Sequence, residues 1–171
     1  MRIIHSDKIR DAIKEMCIEA NLVLSKDVEK RILAAEKEES SELGGKILSQ
    51  LKENMEIAKA ESIPICQDTG MAIIFLEIGQ EVHIEGEYLE DAVNEGVRRG
   101  YEEGYLRKSV VGDPLLRVNT KDNTPAVIHT SIVPGEQVKI TVAPKNPDEI
   151  KVATKKDVSL SDTAVSLPKT E

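Results

Sequence analysis

The stretch IPICQDTG, residues 63–70, and the run MAIIFL that follows it, residues 71–76, decide how this chain folds. Pro64 restricts the residue before it to extended backbone, and Gly70 can adopt backbone angles that other residues avoid. The apolar run after Gly70 is typical of a buried strand. The sequence therefore predicts a tight polar loop, bearing a thiol, an amide, a carboxylate and a hydroxyl, held against a core strand.

The composition is that of a globular protein and argues against several kinds of function. Charged residues make up 32% and hydrophobic residues 40% of the 171 positions. The net charge is −8 and no Lys/Arg block stands out, so we expect no nucleic-acid surface. No apolar stretch is long enough to span a bilayer and no hydrophobic signal region opens the chain, so we expect a cytoplasmic protein without membrane contact. Two cysteines, Cys17 and Cys66, imply no disulfide framework.

Residues 1–62 predict three helices. Ser6 is the expected N-cap of the first, whose apolar residues recur at helical spacing. The second opens at Ser25, and the third opens at Ser40–Ser41 and ends before Pro64. The third helix is expected to turn one apolar face inward, formed by Leu43, Ile47, Leu48, Leu51, Met55 and Ala58.

Residues 63–145 predict a small mixed sheet with one helix packed on it. A strand over 71–78 is expected to pair with a second over 82–84 through the turn between them. Residues 88–105 read as a helix, in which Gly96, Gly100 and Gly104 recur every four positions and indicate close backbone packing. Strands over 126–133 and 137–144 are expected to form an antiparallel hairpin around Pro134-Gly135-Glu136.

The expected fold class is α/β (α+β). The domain covers residues 1–145, helical over 1–62 and mixed over 63–145. Residues 146–171 read as a polar tail with one weak strand around 150–153. The turn-rich connection 110–124 is long for a simple loop, and such loops are often functional or disordered.

Several separated motifs together resemble one family. They are the loop at 63–70, the helix at 88–105, LRKS at 106–109, DPLLR at 113–117, NTPA at 123–126 and ITVAPK at 140–145. In this order they resemble the α subunit, or N-terminal region, of the iron–sulfur-dependent hydro-lyases, class I fumarase and L-tartrate dehydratase. The resemblance covers about residues 1–145.

This resemblance implies reversible hydration of a C4 dicarboxylate, fumarate/malate first and tartrate second, with a 4Fe-4S cluster acting as Lewis acid. Cys66 would be one of three cysteine ligands, because thiolates suit such clusters. Gln67 and Asp68 would contact substrate, with Asp68 available for proton work at the leaving hydroxyl. Arg107 would clamp a substrate carboxylate. A β subunit or second half of the enzyme would be the partner, and a homo-oligomer is a further expectation.

Each of these residues also has a purely structural interpretation. Cys66 beside a buried strand can be an ordinary core thiol, and Cys17 on an apolar helix face is expected to pack. Asp68 and Thr69 can cap a turn. Arg107 follows a helix end, where a cation is favourable without any substrate.

The chain departs from the family pattern after Lys145. A glycine-rich segment follows that position in the family, whereas Asn146-Pro147-Asp148 follows it here, and no cysteine lies beyond Cys66. Truncation, a split subunit, or a stand-alone domain that lost the reaction would each account for this. One alternative function is therefore a non-catalytic domain for assembly or dicarboxylate binding. Another is a redox or metal module that uses Cys17 together with Cys66.

Overall fold

The computed structural model describes residues 2–145 and 156–159. Within these ranges the chain forms four helices and six strands, which confirms the α/β class. In chain order they are β1 (Arg2–His5), α1 (Ser6–Leu22), α2 (Lys26–Glu38), α3 (Glu42–Glu61), β2 (Met71–Gly79), β3 (Val82–Glu85), α4 (Leu89–Glu103), β4 (Val127–Val133), β5 (Val138–Lys145) and β6 (Lys156–Ser159).

The core lies between α1, α4 and one face of a four-stranded sheet, in which the strand order is β4-β2-β5-β6. Alternate residues of β2 and β5 face this core, as the two-residue period of a strand requires. The predicted apolar faces of the helices at 6–22 and 88–105 pack against them. Buried residues from the four elements include Ile9, Ile13, Ile74, Leu76, Val93, Val97, Ile140 and Val142.

Glycines set how closely α1 and α4 approach, as their spacing predicted. A Cβ on Gly96 would stand 2.6 Å from the Arg10 carbonyl oxygen, and one on Gly100 would stand 2.8 Å from the Cys17 Cβ. Neither neighbour can move without shifting its helix. The contact between the two helices therefore depends on residues that lack a side chain.

The predicted strand pairings are wrong in both places. The strand at 82–84 does not pair with β2; it is part of β3, which pairs in parallel with β1, a short strand that the sequence did not indicate. β4 and β5 do not form a hairpin, because they flank β2 on opposite sides, β4 parallel to it and β5 antiparallel. Alternating hydrophobicity tells which face of a strand is buried, but it does not identify the neighbouring strand.

The turn between β4 and β5 passes around the end of β2. The Gly79 amide donates to the Gln137 carbonyl at 2.7 Å, and the Gln80 amide donates to the Val133 carbonyl at 2.8 Å. The Glu81 amide donates to the Gly135 carbonyl at 2.9 Å. These hydrogen bonds hold the connection as it passes from β4 on one side of β2 to β5 on the other side. The segment that was expected to be a hairpin turn is therefore a crossover connection.

The predicted N-cap of α1 also needs correction. The N-cap of α1 is His5, whose side chain accepts from the Asp7 amide, and not Ser6. The Ser6 hydroxyl is buried and accepts from the Glu87 amide at 3.0 Å, so a tertiary bond replaces the expected cap. Ser41 caps α3 as predicted, accepting from the Gly44 amide.

The apolar face of α3 is largely exposed, contrary to expectation. Leu43 is 68% exposed, Ile47 and Leu51 are exposed as well, and Ala58 is the buried residue of this helix. α3 packs mainly on α2, which buries none of its residues. The helical spacing predicted α3 itself correctly. The sheet, however, packs against α1 and α4 and leaves the apolar face of α3 largely uncovered.

The predicted division into a domain over 1–145 and a polar tail over 146–171 stays a prediction. The strand expected around 150–153 lies outside the described residues. Within the predicted polar tail, residues 156–159 form β6, which pairs antiparallel with β5.

Candidate functional site

The loop that carries Cys66 is anchored at its first end by two helices. It leaves α3 through Ser62, which adopts a left-handed backbone conformation with φ 54°. The Ile65 amide then donates to the Asn21 carbonyl at 2.9 Å. The Ile65 carbonyl accepts from the Asn54 side-chain amide at 2.9 Å. Asn21 at the end of α1 and Asn54 within α3 therefore hold the chain just before Cys66.

The second end of the loop is buried and held by α4 and the segment after it. The Thr69 hydroxyl donates to the Arg107 carbonyl at 2.9 Å. The buried Tyr101 hydroxyl lies 3.1 Å from the Thr69 carbonyl and 3.3 Å from the Gly70 carbonyl. Gly70 has a φ of 61°, in the left-handed region that glycine adopts without strain, as the sequence suggested.

The three residues between these anchors face outward. Cys66 and Gln67 are exposed, and Asp68 is partly buried. The Asp68 amide lies 3.4 Å from the Cys66 sulfur, to which it donates. The loop thus displays an accessible sulfur, so the interpretation of Cys66 as a core thiol is wrong.

The Thr69 contact brings the Arg107 segment beside the loop. Arg107 itself is exposed and follows the buried Leu106, so its guanidinium points away from the core. Of the four predicted site residues, three share the loop 66–68 and the fourth lies on the chain segment that Thr69 bonds. The structure therefore brings together two stretches that are about forty positions apart in the sequence.

Asn123 joins the same two stretches, and in the sequence it appears only as part of the NTPA motif, with no role assigned to it. Its side chain is fully buried, with an oxygen that accepts from the Ser109 amide at 2.7 Å and the Val110 amide at 3.1 Å. Its nitrogen donates to the Gly70 carbonyl at 3.1 Å. An asparagine before Thr-Pro in a long polar loop was the available signal, but nothing in it indicated burial.

Four cations between positions 107 and 121 have no carboxylate partner among the described residues. In residues 2–145, no ion pair involves Arg107, Lys108, Arg117 or Lys121, although the chain carries a net charge of −8. The loop from 110 to 123 is ordered by its own bonds, among them those from the Leu115 and Leu116 amides to the Asp113 carboxylate. The positive charge available here can attract a small anion.

A complete iron–sulfur cluster does not fit the described residues alone. Among them, no three His, Cys, Asp or Glu side chains are arranged to hold a metal ion. Cys17 is buried in α1 against Gly100, and burial raises its pKa to about 12. The prediction that Cys17 serves packing is confirmed, and nothing favours a metal module with both thiols. Cys66 is the one accessible thiol of the chain.

A cleft of about 450 Å³ lies at the opposite end of β2 from the Cys66 loop. It is lined by Glu77, Val133, Pro134, Gly135, Glu136, Gln137 and Lys139. None of the predicted site residues lines it, and Lys139 pairs there with Glu77. This cleft is therefore separate from the candidate site.

No helix in the described part of the chain combines the length and apolar character needed to cross a bilayer.

The fold and the site define a class of protein: an α/β domain that displays one thiol on a doubly anchored loop beside unpaired cations. Residues 10–147 match the family described as fumarate hydratase (Fumerase). The chain belongs to this family, which confirms the resemblance inferred from its motifs.

Relatives with assigned names agree with this membership. The putative L(+)-tartrate dehydratase subunit alpha of Methanocaldococcus jannaschii is 40% identical over 118 residues, covering 68% of this chain and 41% of that protein. The anaerobic class I fumarate hydratase of Escherichia coli is 38% identical over 109 residues, covering 63% of this chain and 20% of that enzyme. Fumarate hydratase 2 of Leishmania major is 34% identical over 104 residues, covering 60% and 18%. The chain thus spans from about two fifths to under a fifth of the relatives it matches.

Proposed function

We propose that this chain is the N-terminal part of a hydro-lyase that reversibly adds water across the double bond of a C4 dicarboxylate. Fumarate is the first candidate substrate and tartrate, dehydrated in the same kind of reaction, is the second. The observation that carries the proposal is the bond from the Thr69 hydroxyl to the Arg107 carbonyl, which unites the thiol loop with a cationic segment. Family membership and the names of the relatives support the same reaction class.

Arg107 would hold one substrate carboxylate. Its planar guanidinium can donate two parallel hydrogen bonds, which fixes the orientation of a carboxylate as well as its position. Gln67 would bond the substrate from the thiol loop. Asp68 would accept or donate a proton at the hydroxyl that leaves or enters. These roles require Gln67, Asp68 and Arg107 to face one bound anion, and the two anchors of the loop support that arrangement.

Cys66 would ligate a 4Fe-4S cluster that is completed outside this chain. Thiolate is the ligand such clusters need, and Cys66 is the accessible thiol that the chain offers. Because the described residues cannot hold a cluster alone, the remaining thiolates would come from a β subunit or a second half of the enzyme. When bound, the cluster would supply Lewis acidity at the substrate oxygen.

A second candidate function is dicarboxylate binding or assembly without catalysis. The cations at 107–121 that form no ion pair in the described residues favour it, because positive charge can attract a dicarboxylate without iron. The two functions differ in one property: only the hydro-lyase needs iron and sulfide.

The test is anaerobic reconstitution of the chain with iron and sulfide, alone and with candidate β subunits. We expect a complex that binds iron and hydrates fumarate or dehydrates tartrate, and expect Cys66→Ser to lose the iron. Arg107→Lys should raise the Michaelis constant about tenfold or more with unchanged iron content, because lysine cannot form the paired bonds. Arg117→Lys, an exposed arginine of the neighbouring loop, is the matched control. If no partner yields iron binding or turnover, but fumarate still binds, the second function stands.

A further inference from the structure

We propose that Asn123 is a positioning residue that holds the Cys66 loop and the Arg107 segment in one fixed arrangement. The importance of that arrangement for a reaction rests on the function proposed above. Polar side chains buried in the described part of the chain are Ser6, Thr69, Asn123 and Thr141. Two of these, Thr69 and Asn123, contact the candidate site, so buried polarity is concentrated where the two stretches meet.

The geometry gives Asn123 a linking role that an apolar side chain could not perform. Its oxygen accepts from two successive amides, those of Ser109 and Val110, so it must be the acceptor end of the side chain. Its nitrogen then faces the Gly70 carbonyl and donates to it. One side chain thus bonds the stretch two residues after Arg107 and the stretch four residues after Cys66. No buried side-chain nitrogen or oxygen in the described residues lacks a hydrogen-bond partner.

The backbone and the neighbours of Asn123 favour the same arrangement. Its φ of 64° lies in the left-handed region, which asparagine tolerates better than most residues. The Tyr101 hydroxyl, buried in α4, lies between the Thr69 carbonyl at 3.1 Å and the Gly70 carbonyl at 3.3 Å. The thiol loop is therefore fixed to the helix by Tyr101 and to the cationic segment by Asn123, through two adjacent carbonyl groups.

Asn123→Asp is the decisive variant, and Asn119→Asp is its matched control. Aspartate keeps the acceptor for Ser109 and Val110 and tolerates the left-handed backbone, but it replaces the donor to Gly70 by an oxygen. Asn119 lies in the same loop, is exposed, and donates to the Lys108 carbonyl at 2.8 Å. The same substitution there removes a bond that does not reach the thiol loop. Asn123→Gly tests the link without adding a charge, since glycine also accepts a positive φ.

The position of the loop can be read with a nitroxide label on Cys66, because Cys17 is buried and stays unlabelled. We expect both Asn123 variants to raise the mobile fraction of the label at least about twofold, while Asn119→Asp leaves it unchanged. The midpoint of thermal unfolding is measured for each variant as well. Unchanged mobility in both Asn123 variants overturns the proposal, and so does loss of the whole fold in both, because Asn123 would then serve global stability.

A second measurement separates this inference from the proposed function. Iodoacetamide modifies Cys66, and bound fumarate should slow that reaction in the wild-type chain. We expect Asn123→Asp to raise the fumarate concentration for half protection at least about tenfold, and Asn119→Asp to change it less than twofold. If fumarate does not protect the wild-type thiol, the proposed substrate site is wrong, while the label on Cys66 still decides the positioning role.

Discussion

Cys17 and Cys66 are the same chemical group in opposite surroundings. Cys17 lies inside the α1–α4 contact, where burial penalises the charged thiolate and raises its pKa to about 12. Cys66 lies on an exposed loop, and a backbone amide donates to its sulfur. Because the thiolate is the reactive form, burial and a raised pKa both protect Cys17, whereas the sulfur of Cys66 is accessible.

One thiol should therefore react in the folded chain and two in the unfolded chain. We expect a colorimetric thiol reagent at pH 8 to titrate one equivalent in buffer and two in guanidinium chloride. Cys66→Ser should leave no fast thiol in buffer, whereas Cys17→Ser should leave the fast equivalent unchanged. Rapid reaction of both thiols in the folded wild type would contradict the buried position of Cys17.

At this scale the sequence identified candidate site residues but not the hydrogen bonds that hold them. Motifs singled out Cys66, Gln67, Asp68 and Arg107, whose roles at a site stay predictions. Asn123 also lies in a motif, NTPA, but its burial between two stretches distant in sequence was not predictable, because an asparagine in a polar loop looks the same when it is exposed.

Helices α1 and α4 show what a pattern within one element can predict. Apolar residues at helical spacing identified both buried faces, and glycines every fourth residue predicted the close contact. The exposed apolar residues of α3 mark the limit of this reasoning, since periodicity shows that a helix has an apolar side but not that another element covers it.

Gly96→Ala should destabilise the chain, while Gly45→Ala should stabilise it. The new Cβ at 96 would meet a carbonyl oxygen at 2.6 Å, and overpacking of this kind costs about 1–3 kcal/mol. Gly45 also lies in a helix but has nothing within 4 Å of its ideal Cβ, so alanine there should gain about 0.5–1 kcal/mol. Urea unfolding measures both. A neutral Gly96→Ala would show that α1 and α4 separate without cost.

On the outer face of α4, Glu95 should make stability depend on pH. Hydrogen bonds from Arg98, and then from Arg99, lower its pKa from the ordinary 4.5 to about 2. A lowered pKa stabilises the fold above 4.5, and the effect is lost as the pH falls towards 2. Glu95→Gln should therefore cost up to about 1 kcal/mol at pH 7.

The difference between wild type and Glu95→Gln should shrink as pH falls through that window. Free energies of unfolding from urea titrations at several pH values would show it. Glu102→Gln is the control, because Glu102 is more exposed and meets Arg98 alone at 3.3 Å. A difference that persists unchanged at pH 2 would contradict the assigned pKa.

In the whole molecule, β2 is the central strand of the fold, because β4 and β5 both pair with it. Their pairing depends on contacts across about fifty to seventy positions, from Ile73 to Val127 and from Met71 to Lys145. Local patterns carry no information about such distant partners, and a hairpin between neighbouring strands is the simpler expectation. The strands were therefore predictable, and their order was not.

Stability should be uneven across the molecule. α2 buries no residue and α3 buries Ala58, whereas α1 and α4 pack on the sheet. We expect amides of α2 to exchange with deuterium at least about tenfold faster than those of α1 and α4, through local opening of the α2–α3 pair. Equal protection in all four helices would show that the chain opens only as one unit.

The two anchors of the thiol loop have a consequence for changes in chain length. Ile65 is bonded to the end of α1 and Thr69 to the segment after α4, with three residues between them. An added residue has no room within this span, so it would bulge outward and change which side chain occupies the exposed apex. The arrangement of the site thus depends on the number of residues between the anchors as well as on which residues they are.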